Sequence, residues 1–250
     1  MPDEPLVHYS VDNGLATVEL NRPKRRNAII PPMLDALADA IDAASGDESV
    51  QAVLLCGAGG AFCSGLDLDA YNADPPPPWV TSGGDSALAA HSALARCAVP
   101  IIVALERYAI NGGAAYALAG DLIVTGESAW LQVGEMIQGL PAPMNLAWLT
   151  TKYPESVTAR VVYSGERISG PELHAMGIAH RVVPDDAVRA NATELAQRIA
   201  ASPNGTPRPV KAAIRALYGR DPVEHVKRAR TAIPITPSFR PSQAPDISAT

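Results

Sequence analysis

Two glycine-rich segments, Gly57–Leu68 (GAGGAFCSGLDL) and Ala109–Asp121 (AINGGAAYALAGD), each close a short apolar run and leave few folds open to the chain. Both read as strand, turn and helix start. Glycine lets the backbone turn with positive φ and removes the Cβ that would hold a ligand away, so such a turn can aim bare N–H groups at an anion. Two of them can converge on one oxygen, the arrangement by which backbone donors stabilise negative charge developing on a carbonyl oxygen. One glycine turn after a strand is usually only a turn. The argument rests on the pair.

The runs around these turns switch between two periods. Leu15–Leu20 alternates like a half-buried strand, and Val50–Cys56, Pro100–Leu105 and Leu122–Thr125 read as short buried strands. Met33–Ala44 and Leu88–Val99 repeat apolar residues every three to four positions, the spacing of one helix face. Strands alternating with helices predict an α/β fold. Asp74–Asp85 (DPPPPWVTSGGD), with four prolines and two glycines, is expected to be a long surface loop without regular structure, placed to serve as a lid. After Asp185 no strand is expected, and Ala187–Ala201, Pro209–Tyr218 and Pro222–Ala232 read as helices. The proline-bearing tail Pro234–Thr250 is expected to be loosely ordered. The chain thus divides into a core over 1–184, a helical region over 185–233 and a tail over 234–250.

With 250 residues, 47% of them hydrophobic, the chain can build one large domain around a sizeable core. Its net charge is −6 and its longest basic run is Lys24–Arg26, which argues against nucleic acid or an anionic membrane as partner. The acidic opening MPDEPLVHYS and the short apolar run Val99–Leu105 suggest neither a signal segment nor a membrane span, so a cytoplasmic protein is expected. Cys56, Cys63 and Cys97 lack metal-type spacing and are expected to be buried thiols; no metal site is expected.

Five motifs in order, Leu20–Ala28 (LNRPKRRNA), Gly57–Leu68, Val99–Asp121, Glu135–Pro141 and Ser164–Pro184, resemble those of the crotonase superfamily, the enoyl-CoA hydratase/isomerase family, over about Val7–Tyr218. The resemblance implies a spiral of ββα turns with a C-terminal helical region that packs homotrimers, often paired into hexamers. It also implies a coenzyme A thioester as substrate, with no further cofactor. Carried over by motif position, the oxyanion donors are the backbone N–H groups of Leu66 and Gly112. Of the two glutamates that hydratases use, the second is Glu135, and the place of the first is taken by Ala115. Lys24, Arg25 and Arg26 fall near the nucleotide, and Ser64, Leu66 and Leu68 line its adenine side. Asp69 stands where many relatives carry a basic residue and is expected to repel phosphates; Asn111 stands where relatives often have glycine.

A single carboxylate can take a proton from the carbon next to a thioester and return it two carbons along, whereas hydration is better served by two. The expected activity is therefore an isomerase-like proton shuttle at Glu135. The alternatives are an acyl-CoA decarboxylase or thioester hydrolase, which needs the oxyanion hole but not both carboxylates, and a catalytically weak coenzyme A-binding protein. His91 reads first as a surface or core residue and second as an alternative base facing the acyl pocket, since its ordinary pKa suits neutral pH. Asp67 and Asp121 are expected to cap turns or helices.

Overall fold

The computed structural model describes residues 4–232; the tail expected over 234–250 lies outside them. The chain opens with the hairpin β1 (Val7–Asp12) and β2 (Leu15–Leu20), turned by Asn13 and Gly14, both at positive φ. It continues through α1 (Pro31–Gly46), β3 (Ala52–Gly57), α2 (Leu68–Tyr71), α3 (Gly83–Arg96), β4 (Ile101–Leu105), β5 (Tyr108–Ile110) and α4 (Gly112–Ala119). Then come β6 (Leu122–Gly126), β7 (Trp130–Gln132), α5 (Pro143–Lys152), α6 (Glu155–Ser164), β8 (Arg167–Ser169), α7 (Gly170–Ala175) and β9 (Arg181–Val183). Helices α8 (Val188–Ala200), α9 (Pro207–Leu217) and α10 (Pro222–Ala232) complete it.

The strands form two sheets. One runs β1-β2-β3-β4-β6-β9, parallel throughout except at the β1–β2 hairpin; the other runs β5-β7-β8. The chain passes from β4 in the large sheet to β5 in the small one and then into α4, and repeats the step from β6 to β7 before α5. That repeated ββα step is the expected spiral, in an α/β molecule.

Both faces of the large sheet are covered, which explains the unbroken apolar runs of its central strands. Side chains alternate across a strand, so Val53, Leu55, Ile101 and Val103 pack into the main core with α1, α3 and α4. Leu54, Cys56, Ile102 and Ala104 face the other way, against Val188, Leu195 and Ala196 of α8. Helix α1 begins with two prolines, where a missing N–H costs nothing, and buries Met33, Leu34, Leu37 and Ile41 on one face. Helix α10 packs against α3 and α5, with Val226 in the main core.

The segment Asp74–Asp85 departs from expectation. Pro78–Ser82 forms a 3₁₀ turn, and α3 already begins at Gly83. Proline presets the backbone for the first turn of a helix, so it starts structure here instead of breaking it. Trp79 holds the segment down by packing edge-on against Tyr71, ring centroids 5.4 Å apart. No described helix is long and apolar enough to cross a membrane.

Candidate active site

The two glycine turns lie side by side. Cys63 N–H donates to the Tyr108 carbonyl at 3.2 Å and Ile110 N–H to the Cys63 carbonyl at 3.1 Å. A Cβ on Gly65 would stand 2.9 Å from the Ile110 carbonyl oxygen, and one on Gly113 would stand 2.7 Å from that of Cys63. Bare α-carbons at these two positions are what let the turns touch. Leu66 follows Gly65, and Gly112 opens α4 with the positive end of its dipole. Neither the Leu66 nor the Gly112 N–H donates to an acceptor among the described residues, and both residues line one cavity of about 200 Å³.

Asn111, at φ +51°, fastens the second turn to the loop that carries Glu135. Its N–H donates to the Gln132 carbonyl at 2.8 Å, and its Oδ1 accepts from Gly134 N–H at 2.8 Å. Glu135 itself is buried, 9% exposed, and lines the same cavity. Its Oε1 accepts from Asn145 Nδ2 at 2.8 Å, while that nitrogen also donates to the Asn111 carbonyl at 3.0 Å. A carbonyl can only accept, so the Asn111 oxygen sets which way round the Asn145 amide sits. Glu135 Oε2 is left buried without a partner.

Burial raises the Glu135 carboxyl to a pKa of about 7, against the opposing pull of a backbone hydrogen bond and of Asn145. Such a group accepts and returns protons readily at neutral pH. His91 is different. It is 2% exposed, its Nδ1 accepts from Trp148 Nε1 at 3.0 Å, and burial lowers its pKa to about 3. With its basic nitrogen occupied and its charged form disfavoured, His91 does not fill the role of substitute base.

Of the residues named from sequence, Ser64, Leu66, Leu68, Asn111, Gly112, Glu135 and His91 line the cavity. Ala115, expected there too, does not: it is fully buried in the main core, and its neighbour Tyr116 takes the cavity wall instead. The basic cluster lies outside the cavity on a 3₁₀ turn, Pro23–Arg25. Arg25 is already engaged, with Nη2 at 2.7 Å from both Asp67 Oδ1 and Asp69 Oδ2. Asp69 is therefore paired with a cation, so the expected repulsion of phosphates is largely offset. Asp67, which also binds Arg22 at 2.9 Å and caps α2 through Ala70 N–H, is structural, as expected. So is Asp121, bound to Lys211 at 2.6 Å and to Ile101 N–H at 2.7 Å. Lys24 and Arg26 are exposed, and the Arg26 carbonyl holds Ser64 N–H at 3.1 Å, which puts the turn next to the cavity rim. The three thiols are buried, and burial pushes those of Cys56 and Cys63 up to about 12, so neither is poised as a nucleophile.

A family model for enoyl-CoA hydratase/isomerase matches residues 10–233. The chain belongs to the enoyl-CoA hydratase/isomerase family. It is 34% identical over 203 residues to the enoyl-CoA hydratase EchA19 of Mycobacterium tuberculosis, covering 80% of this chain and 75% of that one. It is 30% identical over 197 residues to the 1,2-epoxyphenylacetyl-CoA isomerase of Escherichia coli, covering 77% and 75%. An enoyl-CoA hydratase structure from Mycobacterium smegmatis superposes with a TM-score of 0.77 at 27% identity, over 92% of this chain and 89% of that one. Membership in the enoyl-CoA hydratase/isomerase family makes this an acyl-CoA enzyme. Since its relatives include both a hydratase and an isomerase, the family frame alone does not choose the reaction.

Proposed function

We propose that this enzyme shifts a carbon–carbon double bond in an enoyl-CoA thioester, with Glu135 as the only acid/base group. The observation that carries this reading is that Glu135 is the one carboxylate among the residues lining the cavity. Its free oxygen, Oε2, removes a proton from the carbon next to the thioester. The C–H electron pair moves into an enolate whose oxygen lies against the Leu66 and Gly112 N–H groups. The same carboxyl then returns the proton two carbons further along, so a 3-enoyl thioester becomes the conjugated 2-enoyl form. The reaction as drawn calls on no group beyond the thioester itself. Hydration would need a water oriented and deprotonated while a second proton is delivered, and the buried methyl of Ala115 supplies nothing for that.

Lys24 and Arg26 support a nucleotide subsite at the rim, and the exposed Val210, Ile214 and Leu217 of α9 support the expected trimeric assembly. Steady-state kinetics on matched 3-enoyl-CoA and 2-enoyl-CoA substrates test the reaction. Isomerisation should exceed hydration, and Glu135→Gln should lower it by roughly 10²–10⁴. Because the shuttle starts from the carboxylate, kcat/KM for isomerisation should rise with pH through about 7 and level off above it. Faster hydration than isomerisation, or full activity in Glu135→Gln, would overturn the assignment.

A further inference from the structure

Among the residues lining the cavity are aromatic side chains that bring polar atoms with them, His91 and Tyr116 being buried while Leu66 is half-exposed. His91 of α3 stacks on Tyr116 of α4, ring centroids 4.4 Å apart and planes within 2°. Trp148 of α5 donates its indole N–H to His91 Nδ1 at 3.0 Å. An indole nitrogen can only donate, so Nδ1 is the bare acceptor and the ring's single proton sits on Nε2. The tautomer is fixed by packing, and His91 presents a neutral N–H donor. Nε2 has no hydrogen-bond partner among the described residues, and the cavity is the space His91 lines. Tyr71 and Tyr116 line the same cavity and add two hydroxyl-bearing rings to its wall. No Lys or Arg lines it.

We infer that the cavity selects acyl chains that carry an uncharged oxygen, a hydroxyl or a carbonyl, toward their far end, where the His91 Nε2–H meets it. This rests on the acyl-CoA reading of the site and adds the class of acyl group. A plain alkyl chain would displace water from these polar groups and leave them unpaired, a penalty that an oxygen-bearing chain avoids. A terminal carboxylate would also accept a hydrogen bond, but it would bring a second negative charge toward Glu135 with no cation on the wall to offset it. Trp148 is the positioning residue: it touches no substrate and acts by holding the His91 tautomer.

Calorimetry on the full chain with hexanoyl-CoA, its ω-hydroxy derivative and adipoyl-CoA, the same chain length ending in a carboxylate, tests this. The hydroxy thioester should bind about 3- to 10-fold more tightly than hexanoyl-CoA, the worth of one neutral hydrogen bond, and adipoyl-CoA most weakly. His91→Phe should erase the hydroxy advantage, so that hexanoyl-CoA and its ω-hydroxy derivative bind within about twofold of each other. Because that variant strands the Trp148 N–H, the double variant His91→Phe with Trp148→Phe removes donor and acceptor together and should give the same loss. Equal binding of all three by the parent chain, or a hydroxy advantage that survives in both variants, overturns the inference while the acyl-CoA reading stands. Failure of all three to bind overturns both.

Discussion

Glu135 and Asn145 illustrate how one amide can decide which oxygen of a carboxylate reacts. The Asn145 nitrogen occupies Oε1, so Oε2 is the atom left to exchange a proton. Asn145→Ala should raise the pH midpoint of kcat/KM above the parent's value near 7, by about one pH unit, because an anion that loses its donor is less stable. A pH–rate profile read beside a thermal melt separates this from mere unfolding, since a structural defect would lower the rate at every pH without moving the midpoint. Glu135 was legible in the sequence because it sits within a recognisable motif. Asn145 was not, for its partners lie ten and 34 positions away and only the packing of α5 against α4 brings them together. Asn111 was legible only as a departure from glycine; its hold on Gly134 depends on strand pairing between β5 and β7. For His91 the sequence offered an ordinary base, and the burial and the Trp148 bond that remove that role arise from packing.

At the scale of elements, the second glycine turn contains two adjacent glycines with different duties. A Cβ on Gly112 would meet only the flexible end of Ile29 at 3.2 Å, whereas one on Gly113 would press on backbone and sulfur of Cys63 within 2.8 Å. Gly112→Val should therefore melt close to the parent yet lose about 10²–10³ in turnover, as expected when an oxyanion site is blocked. Gly113→Ala should instead lose roughly 1–3 kcal/mol of stability through overpacking. Thermal melts and turnover measured on both variants check the contrast. Strand β2 could be read from sequence by its alternation, and β3, β4 and β6 by the apolar runs that burial on both faces leaves. Strand β1 could not, since only Val7 on it is buried, and β7, β8 and β9 are three residues each, too short for a period to show. The proline segment was misread because prolines that begin a helix and prolines that prevent one look alike in a list of residues.

Across the whole molecule, α9 is the helix whose apolar side is least covered: Val210, Ile214 and Leu217 are 54, 52 and 88% exposed. Ile214→Glu would place a charge in the middle of that stripe. Light scattering after gel filtration should show the parent as a trimer or hexamer and the variant as smaller species; a parent that runs as a monomer would remove the assembly expectation. The cavity, by contrast, is an inward feature, lined by the two turns and by residues of α3, α4 and α5 together with Leu34 of α1 and Tyr71 of α2. Helix α5 carries Asn145, which holds the reacting carboxylate, and one turn later Trp148, which holds the ring facing the acyl chain. Reactivity and choice of substrate thus share a single shaft. Any mutation that rolls or slides α5 to admit a new acyl group would turn Glu135 out of line in the same motion. Evolution toward a different substrate therefore has an open road on α3 at Ala87, which lines the cavity without a bond to the shaft, and a blocked one on α5.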